Sequence, residues 1–79
     1  MSAHPSPKLP SYNREALRGG KVAVALCTAE GEPLKWWIGS GWSKNFRAAL
    51  REAQSFSYAA VWRLERTRLR LACEWIAGQ

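Results

Sequence analysis

From Lys21 to Thr28 apolar side chains occupy both parities, with Val22, Val24 and Leu26 on one face and Ala23, Ala25 and Cys27 on the other. A period of two with neither face polar predicts a strand covered on both sides. The next five residues, Ala29-Glu30-Gly31-Glu32-Pro33, have the length and the glycine of a hairpin loop, and Pro33 fits only the beginning of a following strand. Leu34 to Ile38 alternates again, with Leu34, Trp36 and Ile38 opposite Lys35 and Trp37. The adjacent tryptophans must therefore point opposite ways, one into the core and one away from it. Gly39-Ser40-Gly41 predicts a turn, Trp42 is expected to pack back over the hairpin, and Ser43 is expected to cap a helix.

At Lys44 the period changes. Phe46, Ala49, Leu50, Ala53 and Phe56 form the apolar stripe of a surface helix ending near Ser55 and Ser57, with Lys44, Arg47 and Arg51 on its opposite face. Tyr58 to Ala77 is rich in Ala, Leu, Arg and Glu, which favours helix. On a helical wheel Arg63, Arg66 and Arg70 share one narrow polar arc with Thr67 and Glu74, while Val61, Trp62, Leu64, Leu69, Leu71, Trp75 and Ile76 fill most of the rest. A strand reading competes, because Trp62 and Leu64 alternate with Arg63 and Glu65. The apolar set changes parity before Leu69 and Leu71, however, which one paired strand would not tolerate, so helix is preferred. The predicted fold is therefore α+β: an antiparallel β-hairpin followed by two helices, with ββαβ, the last segment partly strand, as the alternative.

Upstream, residues 1–20 contain Pro5, Pro7 and Pro10 among Ser2, Ser6 and Ser11, a composition that prefers extended conformations to packing. They predict a flexible arm, with a short helical turn at Arg14 to Arg18 broken by Gly19-Gly20, preceding one compact domain at 21–79. Seventy-nine residues allow one core. The apolar fraction of 47% is too high for a disordered chain, and five tryptophans exceed what so small a core needs, which directs some of them to an interface.

Charge narrows the partners. Twelve Lys and Arg against six acids give a formal +6, and eight of the twelve cations are Arg, whose planar fork matches carboxylates and phosphates. From residue 44 to 70, seven cations (Lys44, Arg47, Arg51, Arg63, Arg66, Arg68 and Arg70) stand against Glu52 and Glu65 alone. No run of about 18 apolar residues occurs and the first twenty lack an apolar signal core, so no membrane association and a cytoplasmic location are expected. Cys27 and Cys73, 46 positions apart, read as free thiols of a reducing compartment.

Catalytic arrangements are hard to assemble. His4 is the single histidine and sits in the arm, Glu30 and Glu32 fall in a loop, and Glu52, Glu65 and Glu74 have arginine neighbours one helical turn away. Two distant cysteines make a metal site improbable, and neither glycine cluster has the spacing of a phosphate-binding loop. No enzyme activity, metal or cofactor is therefore expected.

The segment Trp37-Ile38-Gly39-Ser40-Gly41-Trp42-Ser43, followed by Ala53-Gln54-Ser55-Phe56-Ser57, resembles small bacteriophage and prophage accessory proteins, and the whole looks like an anti-CRISPR protein. The resemblance implies an inhibitor that covers or locks a host nucleoprotein defence complex, such as a CRISPR effector, inside the bacterial cell. Basic rather than acidic, the chain would dock on an acidic protein patch or on bound nucleic acid. The candidate partner-binding residues are Trp37, Lys44, Arg47, Arg51, Trp62, Arg63, Arg66 and Arg70. Two further readings are a small nucleic-acid-binding module, with Trp37 or Trp42 stacking on bases, and a homodimer formed through the broad apolar face of the last helix.

Overall fold

A computed structural model describes residues 7–10, 23–39, 41–65 and 68–78. Among these residues four strands and one helix follow in the order β1 (Ala23–Cys27), β2 (Pro33–Ile38), α1 (Trp42–Ala53), β3 (Tyr58–Glu65) and β4 (Arg68–Ile76). Every strand pairing is antiparallel, and the sheet order is β2-β1-β3-β4. The first hairpin and the helix lie in the segments that the periodicity assigns to them, but the helix ends at Ala53 and leaves Phe56, predicted on its apolar stripe, exposed in the following turn. The second helix does not exist: the architecture is ββαββ, to which the ββαβ alternative came closer.

The register of the last hairpin shows why the sequence misled. Leu64 pairs with Leu69 and Glu65 with Arg68, leaving residues 66–67 as the link. Partners whose numbers sum to an odd value have opposite parity, so the apolar set moves from even to odd positions while staying on one face of the sheet. That change of parity excludes one continuous strand but is what two strands joined by a two-residue link require. A second shift follows. Trp62 pairs with Leu71 and Val61 with Cys73, so Ala72 is an extra residue at a bulge. Beyond it the odd positions, Cys73 and Trp75, turn to the opposite face.

The sheet buries both faces. On one, α1 lies over Val24, Leu26, Ala59 and Val61 and contributes Ala49 and Ala53, whose small side chains let the helix approach the strands closely. Trp37, Trp42, Phe46, Leu50, Cys73 and Trp75 close the margins of this layer. The other face, which no helix covers among the described residues, gathers Ala23, Ala25, Cys27, Ala60, Trp62, Leu64 and Leu69, flanked by Trp36 and Tyr58. Cross-strand pairing there sets Ala25 between Trp36 and Trp62, with Leu71 beyond. The alanine leaves room for two indoles in one row, which is why β1 and β3 are alanine-rich at their centres. Trp36 and Trp37 thus each pack against a cluster on opposite faces, and neither is the free tryptophan that the alternation suggested.

Two glycines with positive φ shape the connections. Gly31 (φ 89°) turns the β1–β2 loop, and a Cβ there would come within 3.2 Å of the carbonyl oxygens of Lys8 and Leu9. Lys8 N–H donates to the Ala29 carbonyl at 2.9 Å, so Pro7–Pro10 is tied beside this loop. The rest of the predicted arm, Met1–Ser6 and Ser11–Gly20, and its proposed helical turn lie outside the described residues. Gly41 (φ 98°) is the N-cap of α1 and makes no side-chain cap bond, so the helix begins two residues earlier than a Ser43 cap predicted. Past its C-terminus, the Trp75 indole N–H donates to the Phe56 carbonyl at 3.2 Å and fastens β4 to the α1–β3 turn.

Candidate functional site

Beyond the N-terminus of α1 the sheet projects past the helix, and the exposed part carries a shallow hollow of about 220 Å³ lined by Trp42, Arg63, Glu65, Arg70, Leu71 and Ala72. Arg63 and Arg70 are direct cross-strand partners in the β3–β4 register. Glu65 lies between them, its Oε1 3.3 Å from Arg70 Nη1 and its Oε2 3.7 Å from Arg63 Nε. Like charges opposite each other in a sheet repel, and the shared carboxylate offsets that repulsion. Arg68, opposite Glu65 in register, is exposed and adds another cation.

Trp42 orders this cluster. The Arg63 guanidinium carbon stands 4.2 Å from the Trp42 ring centroid, and the Phe46 ring stacks on Trp42 with centroids 4.9 Å apart and planes 28° from parallel. Arg63 and Phe46 thus both pack against the Trp42 indole. Stacking leaves the in-plane N–H donors of a guanidinium free to meet an anion edge-on. One donor is already short of a partner: Arg63 Nε is shielded from solvent and makes no hydrogen bond, the Glu65 oxygen being too distant.

The predicted site residues divide into five groups. Arg63 and Arg70 come together, though by sheet register and not by the helical arc proposed for them. Lys44, Arg47 and Arg51 are exposed on α1, on the same side of the sheet. Trp62 is 6% exposed in the opposite layer and stands apart from the rest. Trp37 is half-buried, with Lys35 Nζ 5.1 Å from its ring centroid and that ammonium paired to Glu52 at 2.6 Å. Arg66 lies outside the described residues. The sequence pattern left Glu65 out of the site and offered Trp42 only as a ring to stack on bases, not as the platform for Arg63. Pairing Glu65 with Arg68 across a two-residue link would have found Glu65, whereas the Trp42 contact is tertiary and has no local signal.

The remaining chemistry lies elsewhere. Burial pushes the Cys27 thiol up to about 12, and burial followed by the neighbouring Glu74 charge raises that of Cys73. Tyr58 is raised by burial first, then by the 2.6 Å hydrogen bond its hydroxyl donates to Glu74 and by that residue's charge. Both cysteines are free thiols. No group of three or more potential metal ligands occurs among the described residues, and no helix among them is long and apolar enough to cross a membrane. No protein family model, curated protein or solved structure matches this chain.

Proposed function

We propose that this chain is a binding protein that engages the phosphate backbone of nucleic acid, free or held in a host nucleoprotein complex, through the helix side of its sheet. The observation that carries this reading is the paired Arg63 and Arg70, with Arg63 braced on Trp42 beside an open hollow. Among described residues that side of the domain presents seven cations, Lys35, Lys44, Arg47, Arg51, Arg63, Arg68 and Arg70, against Glu52 and Glu65, an excess of five. The Arg63 and Phe46 contacts of Trp42, and Lys35 over Trp37, argue against base stacking as the main mode. Contacts to phosphates position a protein without reading sequence, so the expected binding is weakly sequence-dependent and strongly salt-dependent. Docked on nucleic acid held by a host complex, the domain would cover it, which is the inhibitory role implied by the resemblance to phage proteins.

Fluorescence anisotropy with labelled duplexes of unrelated sequence, titrated across a salt series, tests this directly. Wild-type affinity should fall linearly in log–log form with salt, and Arg63→Glu/Arg70→Glu should reduce the slope by about two. Glu74→Gln, on the opposite face, should leave it unchanged. A folded double variant that binds like the wild type sinks the proposal. Pull-down from bacterial lysate with and without nuclease separates the two settings: a defined complex that survives nuclease and moderate salt would place the anion on protein.

A further inference from the structure

The sheet has two free edges among the described residues, and they differ. At one, β4 carries the charges of Arg68, Arg70 and Glu74, which discourage pairing with another strand, while each edge strand has one bulge, at Ala72 in β4 and at Leu34 in β2. At the other, β2 reads Pro-Leu-Lys-Trp-Trp-Ile, four of its six residues are exposed, and Lys35 is its only charge. Glu52 already neutralises that charge at 2.6 Å, so the β2 edge is electrically quiet in a chain of net charge +6. Leu34 at 42% and Ile38 at 51% exposure lie along it, two of the large apolar residues that the domain leaves in water.

We infer that β2 pairs antiparallel with β2 of a second copy, joining two sheets into one of eight strands. Symmetry restricts the register. A twofold axis perpendicular to the sheet keeps each face on its own side, so residues opposite each other must share parity. Centring the axis on Lys35 would oppose two ammonium groups, which is unfavourable. Centring it on Trp37 leaves Lys35 opposite Gly39, beyond the end of the strand. Centring it on Trp36 sets Leu34 opposite the partner's Ile38 and Lys35 opposite the partner's Trp37, so both exposed apolar residues are covered twice over and no like charges meet. This register is self-complementary, as a twofold interface demands. Six residues a side cover less than a standard stable interface, so the dimer exchanges with monomer in the micromolar range. Both helices then lie on one face, with the two Arg63–Arg70 sites roughly 30 Å apart, from six strand spacings.

Sedimentation velocity over a concentration series reaching high micromolar tests the interface. Wild type should shift from the 8.9 kDa of one chain toward twice that mass, whereas Leu34→Lys/Ile38→Lys should remain monomeric with an unchanged circular dichroism spectrum. A wild type that stays monomeric throughout overturns the inference and leaves the edge to a strand of a different protein. A folded double lysine variant that still dimerises overturns it too, since another surface must then join the copies. Register has a separate readout: under mild oxidation Leu34→Cys/Ile38→Cys should cross-link two chains, because directly opposed residues lie within disulfide reach. Failure to cross-link in a chain that sediments as a dimer refutes the Trp36-centred register. None of these outcomes bears on phosphate binding, which one chain's site accounts for alone.

Discussion

The two faces of the sheet are built from the same four strands yet have opposite chemistry. Under α1 the strands contribute Val24, Leu26, Ala59 and Val61 to a core, then carry Arg63, Arg68 and Arg70 out past the end of the helix. The other face holds two indoles, alanines and leucines, and Glu74 is the only charged residue that the described strands place there. Adjacent residues of one strand point to opposite faces, so Trp62 and Arg63 belong to different environments one position apart. The two faces are therefore separable: charge can be removed from the helix side with little effect on folding, whereas the opposite face supplies stability and, among the described strands, has no charge to remove except Glu74.

Breaking the apolar face should have the largest effect. Trp62→Ala removes a 6% exposed indole and should cost about 3–5 kcal/mol in chemical denaturation. The Trp62 indole N–H is buried without a hydrogen-bond partner, so Trp62→Phe removes an unsatisfied donor along with the volume and should cost less than about 1.5 kcal/mol. Equal losses in the two variants would show that the indole N–H is satisfied.

Alkaline pH probes the buried thiol on the same face. Cys27 has its pKa raised above the unfolded value of 9.0 to about 12, so the neutral thiol is the form that folding favours. Its contribution is fully present below pH 9 and is lost as pH rises toward 12. Tyr58 and Cys73, also raised, act in the same direction. Denaturant midpoints measured from pH 8 to 11 should fall, and Cys27→Ala should flatten the part of the fall due to this thiol. A wild-type midpoint that rises over that interval contradicts the assignment.

Smaller effects belong to the helix side. Trp42→Leu keeps an apolar contact with Phe46 but removes the platform under Arg63, and should lower stability by about 1 kcal/mol while weakening binding to labelled duplex. Should binding be unaffected, the bracing of Arg63 has no role in recognition. Smallest of all, Lys35→Gln should shift stability by less than about 1 kcal/mol, because the Lys35–Glu52 pair is half exposed and screened by solvent. The expected loss should shrink further at high salt.

The chain's own pattern determined the first half of the fold. β1, β2 and α1 follow from local periodicity, because the order of residue types keeps one period along each of them, and Lys44, Arg47 and Arg51 could be placed on an exposed face without knowing any partner element. Local reading failed at Tyr58 to Ala77, where helix-favouring Ala, Leu, Arg and Glu sit in strands and the apolar parity changes once at the 66–67 link and again at Ala72. Those two shifts make sense only when β4 is laid against β3. Tertiary structure alone decided which arginines meet, that Trp42 lies under Arg63, and that Trp62 is buried. Sequence spacing specifies a side chain's direction within its own element, but its neighbours across the sheet are set by register, which depends on the pairing of segments distant along the chain.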